Sequence, residues 1–330
     1  MPEVLRRGVR GEAVSDLQQR LVHAGHDVDD DAGEFGAGTV RAVRAFQEVR
    51  GLRVDGIVGT QTWSAVVESG YALGDRLLYL RRPMLRGDDV ASLQLRLNAL
   101  GFDAGREDGI LGDETHAALV EFQRAAGLAF DGICGSTTIA ALDRVGSFAT
   151  GSAAGLRERE RVRSGPRRLA GRRVYVAATP GLVALGESVT RGLLDAGATA
   201  LLDGSGDDDS FVAAEANRFE ADLVLALRSG DARGWRCTYF ASSTFSSDVG
   251  LEVAEAVRRE LGEVLPADAE VCGRAYPLLR ETRMPAVVCE LVAEDDVDAM
   301  RDLVGRAGDA GRAIVRGVRH AIETTVDASP

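Results

Sequence analysis

A chain usually holds zinc with imidazoles or with a Cys-x-x-Cys pair, and it makes a nucleophile by placing a thiol or hydroxyl beside a base. This sequence offers little of either. Its histidines are His23, His26, His116 and His320, and only His320 lies after residue 173. His23 and His26 stand near the end of an apolar-periodic run and could share a helix face, but no third ligand is near, so adventitious metal binding is the expectation. The cysteines, Cys134, Cys237, Cys272 and Cys289, are 103, 35 and 17 positions apart, which excludes Cys-x-x-Cys chemistry and predicts buried thiols. Cys289 adjoins Glu290, yet neighbours in a strand face opposite ways and cannot form a dyad directly. Thr324 and Thr325 could accept a phosphate, although an unmodified frayed tail is the simpler expectation.

The charge around these groups is segregated. The 330 residues carry 39 basic and 51 acidic side chains, every basic one an Arg, for a net charge of −12, with 45% apolar residues and 27% charged. That is the composition of a folded protein long enough for two or three domains, and its sign argues against coating nucleic acid. Residues 1–150 carry −6, residues 151–173 carry +6 and residues 174–330 carry −12. The basic stretch sets eight Arg, from Arg157 to Arg173, against Glu158 and Glu160. It reads first as a solvated spacer, with docking on an acidic domain, phosphate or anionic lipid as the alternative. No apolar run reaches the roughly 20 residues that span a bilayer. The opening Met-Pro-Glu-Val-Leu-Arg-Arg shows no secretory pattern, so the expected compartment is the cytoplasm.

The elements that would position these residues begin with a duplication. At an offset of 76 residues, Arg10-Gly11 falls on Arg86-Gly87, Leu17-Gln18 on Leu93-Gln94, Phe46-Gln47 on Phe122-Gln123, and Asp55-Gly56-Ile57 on Asp131-Gly132-Ile133. The period is too long for a solenoid and indicates two tandem small domains. Three short helices are predicted in each: Val14, Leu17 and Leu21 recur at helical spacing, as do Val40, Val43 and Phe46, and Trp63, Val66 and Val67. Gly25, Gly51 and Gly59 are expected at positive φ, and Thr60 or Thr62 as the cap of the third helix.

From Arg173 onward apolar strands alternate with helices. Val174–Ala177, Ala198–Leu202, Leu223–Leu227, Cys237–Phe240 and Ala286–Cys289 read as strands. Helices are predicted up to Gly197, from Ser210 to about Phe219, from about Asp248 to Leu261, and twice after Asp295. This alternation predicts an α/β layer fold with a mostly parallel sheet flanked by helices, behind two small all-α domains. The expected boundaries are 1–70 and 77–146 for the repeats, 147–173 for the linker, 174–323 for the α/β domain and 324–330 for the tail.

The repeats resemble the three-helix peptidoglycan-binding domain, through Leu-Gln-x-x-Leu, Gly-x-x-Gly-x-x-Thr, Phe-Gln and Gly-Leu-x-x-Asp-Gly-Ile-x-Gly-x-x-Thr. The resemblance implies binding of peptidoglycan or its stem peptides, with Arg10, Gln47 and Asp55 and their counterparts Arg86, Gln123 and Asp131 as candidate ligand contacts. Residues 174–323 resemble the zinc-dependent N-acetylmuramoyl-L-alanine amidase fold. Strand Val174–Ala177 leads to Pro180-Gly181, Ala216-Asn217 precedes Ala221-Asp222-Leu223, and Pro285-Ala286-Val287-Val288-Cys289-Glu290 matches Pro-Ala-Val-x-x-Glu. Family members hold zinc with two His and a Glu, and a Glu near the carboxyl end serves as acid or base.

Here the first His position falls at or beside Pro180 and the second is Arg228, while Glu187 stands too close to Gly197 for the middle ligand and reads as helix surface. Glu290 alone keeps its place, and Leu291-Val292-Ala293 departs from the family's Gly-Phe continuation. The resemblance therefore implies no zinc cofactor, and a protein similar to actinobacterial cytoplasmic amidase-like regulators of wall synthesis. Its expected partners are muropeptide precursors or a wall-synthesis enzyme. The alternative is an active amidase.

Overall fold

The computed structural model describes residues 4–146, 154–230, 234–242, 245–265, 269–293 and 295–327. The chain divides into two compact units, one formed mainly by residues up to 154 and the other by residues after it.

The first unit contains both repeats. Helices α1 (Glu12–His23), α2 (Ala37–Val49) and α3 (Thr60–Glu68) make the first. The second comprises β1 (Leu78–Tyr79), α4 (Asp88–Ala99), α5 (Asp113–Ala125), β2 (Ile133–Cys134) and α6 (Ser136–Gly146), with β1 and β2 antiparallel. The periodic apolar positions are inside: Val14, Leu17, Leu21, Val43, Phe46 and Val66 form one core, and Val90, Leu93, Leu97, Leu119 and Phe122 the other. Gly25 and Gly51 end their helices at φ 84° and 63°, where a side chain would be strained. Gly59 does not: it is extended at φ −84° and itself caps α3. Neither Thr60 nor Thr62 caps that helix, because the Thr62 hydroxyl is already bonded to Gln47 and faces the carbonyl of Ile57.

The second unit opens with α7 (Ala154–Ser164), inside the stretch read as a spacer. Glu158 is buried and accepts the Ser247 hydroxyl at 2.8 Å, Arg159 pairs with Glu252 at 2.9 Å, and Val162 joins the core. The buried Arg172 donates to the carbonyl of Val162 at 2.5 Å, near the end of α7. Charge alone did not reveal this packing, since the buried positions on α7 are few.

Beyond it run β3 (Arg173–Ala178), a 3-10 turn (Pro180–Leu182), α8 (Val183–Asp195), β4 (Thr199–Asp203), α9 (Asp209–Arg218), β5 (Leu223–Gly230), β6 (Trp235–Phe240), α10 (Asp248–Leu261), β7 (Ala269–Arg274), α11 (Pro277–Glu281), β8 (Ala286–Ala293), α12 (Val297–Gly305) and α13 (Ala307–Asp327). The strands form one sheet in the order β4-β3-β5-β8-β6-β7, parallel except for the β6–β8 pair. The fold class is thus the α/β layer expected. The cap of α9 is Asp208, which accepts from the backbone of Ser210 and Phe211 and so starts the helix at Asp209, one residue before the expected Ser210. Strand β7 escaped the sequence reading because its residues are half-buried at a sheet edge and lack an apolar run. Thr324 lies on α13, its hydroxyl donating to the carbonyl of His320, so that helix continues past the expected domain end at 323; the Thr325 side chain lies outside the description.

Candidate functional site

Strand β8 lies between β5 and β6, and this order assembles a charged cluster in the α/β unit. Glu290 on β8 stands in register with Arg228 on β5 and with Arg236 on β6. Residues directly opposite on adjacent strands share a face, so both guanidinium groups converge on one carboxylate. Arg228 Nη2 donates to Glu290 Oε1 at 3.2 Å, while Arg236 Nε lies 2.8 Å from Oε2. The Asp208 cap starts α9 where Asp209 meets Arg228 Nη1, at 3.3 Å. Tyr276 enters just ahead of Pro277; its hydroxyl donates to Glu290 Oε1 at 3.2 Å and its ring lies 4.3 Å under the Arg228 guanidinium.

Two positive and two negative groups thus balance in a site where the Glu290 side chain is only 8% exposed and that of Arg228 20%. Burial alone would make Arg228 easier to deprotonate, but Asp209 and Glu290 outweigh it and hold the guanidinium above its ordinary value. Burial pushes the Tyr276 phenol up to about 12, and the Glu290 carboxylate adds to the rise while Arg228, Arg274 and Arg236 oppose it. Oε1 of Glu290 takes both hydrogen bonds, while the buried Oε2 is ion-paired with Arg236 and accepts no hydrogen bond among the described residues.

Zinc does not fit this donor set. A guanidinium has five N–H donors and no lone pair to give, and its positive charge would repel a metal ion. Pro180 opens the exposed 3-10 turn beside Gly206 and offers no donor atom. Glu187 is exposed on α8, and His320, the unit's one histidine, is exposed on α13. Among the described residues no three His, Cys, Asp or Glu side chains converge as a metal site. The cavity beside Arg228, lined also by Thr179, Asp203 and Asp209, has a volume of about 50 Å³. Ligand pockets run to roughly 300–1,000 Å³.

The cysteines divide by position. Cys134, Cys237 and Cys289 are buried as expected, but Cys272, on the edge strand β7, is only half-buried. Cys237 and Cys289 face each other across β6 and β8 with sulfurs 3.7 Å apart, on the opposite side of β8 from Glu290. The contact with Cys289, and then burial, raise the Cys237 thiol well above its ordinary value, which leaves it protonated.

In the repeats, the six candidate contacts separate into sealed and open positions. Gln47 is 1% exposed, and its amide donates to Asp55 Oδ1 at 2.9 Å, to the carbonyl of Ile57 at 3.0 Å and to Thr62 at 3.1 Å while its oxygen accepts from the backbone of Gly56. Gln123 makes the same set with Asp131, Ile133, Thr138 and Gly132. These two glutamines are therefore structural, and a ligand would have to unmake buried bonds to reach them. Asp55 and Asp131 serve the same loops; backbone bonding from Ile133, then the Gln123 amide, holds the Asp131 carboxyl below its ordinary value. Gln18 and Gln94 repeat the arrangement elsewhere in each copy, with Gly33 and Thr39, and with Gly109 and Thr115. Arg10 stays exposed, paired with Glu34 at 2.7 Å, and Arg86 is half-buried with its carbonyl bonded to Arg76. Reading the sequence for polar groups passed over exposed apolar ones: Leu77, Tyr79, Phe130 and Ile133 stand on or beside the β1–β2 ribbon. His26 packs edge-on against Phe46, and among the described residues neither it nor His23 belongs to a group of three side chains that could hold a metal.

Comparison with known proteins settles the relationship. The peptidoglycan binding domain family matches residues 10–66 and 86–142, one match per repeat. The chain is 37% identical over 331 residues to the N-acetylmuramoyl-L-alanine amidase CwlM of Mycobacterium tuberculosis strain H37Rv, an alignment covering 88% of this chain and 82% of that one. It belongs to the N-acetylmuramoyl-L-alanine amidase family. A second relative, amidase CwlL of Bacillus licheniformis, is 34% identical over 161 residues, which covers 42% of this chain and 45% of that protein. Among solved structures, the amidase Ami1 of Mycobacterium smegmatis is similar at 16% identity and a TM-score of 0.41, over 48% of this chain and 99% of that one. Within the α/β unit of this amidase family member, Pro180 stands just after β3 and Arg228 near the end of β5. No helix among its described residues is long and apolar enough to cross a membrane.

Proposed function

We propose that this amidase-family chain recognises peptidoglycan or muropeptide precursors through its two repeats and that its α/β unit operates without zinc and without hydrolysis, regulating cell-wall synthesis in the cytoplasm. One observation carries the reading: the Arg228 guanidinium, at the position where the resemblance expects a metal-binding imidazole, is tied to Asp209 and Glu290. Amide hydrolysis by the family's route needs a metal-activated water and a carboxylate free to move a proton. Glu290, held by Arg228, Arg236 and Tyr276, is instead a structural anion. The two family matches in the repeats support a wall-derived ligand.

Purified full-length protein incubated with zinc and muropeptides is expected to release no free stem peptide. Release that disappears in Glu290→Gln would establish the active-amidase alternative and overturn this reading.

A further inference from the structure

A second cavity of the α/β unit lies away from Glu290. It has a volume of about 600 Å³ and is lined by Arg167, Arg168, Ala170, Ala196, Arg319 and Glu323, among others. These residues sit where β3 and β4 begin, whereas Arg228 and Glu290 lie toward the other end of the sheet. We infer that this cavity is an anion site for a phosphate or diphosphate group, carried by a soluble metabolite or by a lipid headgroup.

The first support is charge without counter-charge. Arg167, Arg168 and Arg319 are exposed and make no hydrogen bond or ion pair among the described residues. In the same acidic unit, Arg159 pairs with Glu252, Arg306 with Asp302, Arg312 with Asp309 and Arg316 with Glu260, so carboxylate partners are plentiful. The adjacent arginines are also spent, Arg172 on the carbonyl of Val162 and Arg173 on that of Phe219. Three unspent guanidinium groups around one cavity, set against Glu323 and the carbonyl end of α8 at Ala196, leave a local charge of about +1.5. That matches a phosphate dianion, and guanidinium binds phosphate oxygens in a bidentate fork.

The second support is rigidity. Leu169, between the arginines and Ala170, is 1% exposed and anchors the loop in the core. Gly171, at φ 87°, donates to the carbonyl of Gly197 at 2.9 Å, and Arg172 donates through its backbone to Leu169 at 3.1 Å, closing the loop on itself and on the start of β4. Arg319 projects from α13 between the buried Val318 and Ala321. The three backbones are thus held in place before any ligand arrives, which lowers the ordering cost of binding. This inference is independent of the peptidoglycan reading.

The test uses the full-length chain. Calorimetric titration with inorganic pyrophosphate is expected to show saturable binding that weakens with salt and falls by about tenfold or more in the Arg168→Gln/Arg319→Gln double variant, at an unchanged melting temperature. Arg319→Gln alone, a surface change on α13, gives a second reading if the double variant folds poorly. Sedimentation with phosphatidylglycerol vesicles, set against phosphatidylcholine vesicles, distinguishes the sources. Co-sedimentation lost in the same variants assigns the phosphate to a lipid, and pyrophosphate binding without it assigns a soluble ligand. If neither probe binds, or binding persists unchanged in the variants, the site does not exist.

Discussion

At the scale of single residues, Arg228 decides what the α/β unit can do. Its guanidinium pairs with both Asp209 and Glu290, and Arg236 pairs with Glu290 as well. Removing one partner of a largely buried ionic network costs more than the network contributes, because the remaining charges lose their compensation. Arg228→Ala is therefore expected to lower unfolding stability by about 2–4 kcal/mol in denaturant titration. Adding Glu290→Gln should recover part of that loss, and a strictly additive double variant would show that the two groups are not coupled.

Tyr276 gives a pH signature of the same cluster. Its phenol titrates in the folded chain at about 12 rather than 10, so the folded state keeps a proton that the unfolded state releases first. The stabilisation is complete below pH 10 and is lost as pH rises toward 12. Wild type should lose about 2–3 kcal/mol more than Tyr276→Phe across that window. Equal losses in the two proteins would contradict the placement of the hydroxyl on Glu290.

At the scale of elements, the repeats are held by glutamines that staple a helix to the following Asp-Gly-Ile loop. Gln47→Ala would strand the backbone N–H of Gly56 and leave the carbonyl of Ile57 with only the long contact from the Thr62 hydroxyl. The expected loss is about 2–3 kcal/mol in the unfolding of the unit that contains it. A muropeptide affinity measured under folding conditions should not change, and a selective loss of affinity at unchanged stability would return Gln47 to the ligand surface.

Much of this architecture was legible in the sequence. Helical spacing marked the repeat helices, and runs such as Leu223–Leu227 marked the buried strands, because apolar periodicity reports burial directly. The ligand surface was less legible: Phe-Gln and Asp-Gly stand out as motifs because a turn requires them, which is a structural reason. In the α/β unit, the family resemblance points to Glu290 and Arg228, but nothing in the sequence points to Arg236, Asp209 or Tyr276. Their convergence depends on strand order and register, with β8 inserted between β5 and β6, and on where the α9 cap falls. Those are long-range pairings that no local pattern encodes. The buried side of α7 was missed for a related reason, since its contacts are made with residues some 90 positions away, such as Glu158 with Ser247.

At the scale of the whole molecule, two recognition repeats with −6 and an α/β unit whose acidity surrounds a few concentrated arginine sites are joined in one chain of net charge −12. Some of those arginines are spent inside the ionic cluster at Glu290, and others remain open on the surface at Arg167, Arg168 and Arg319. The central claim is that the first group has replaced a metal. Metal analysis of the purified full-length protein, after equilibration with zinc and removal of the excess, tests it most directly. The account predicts far less than one zinc per chain, with no change in melting temperature on adding a chelator. One tightly held zinc per chain, lost together with stability on chelation, would contradict it.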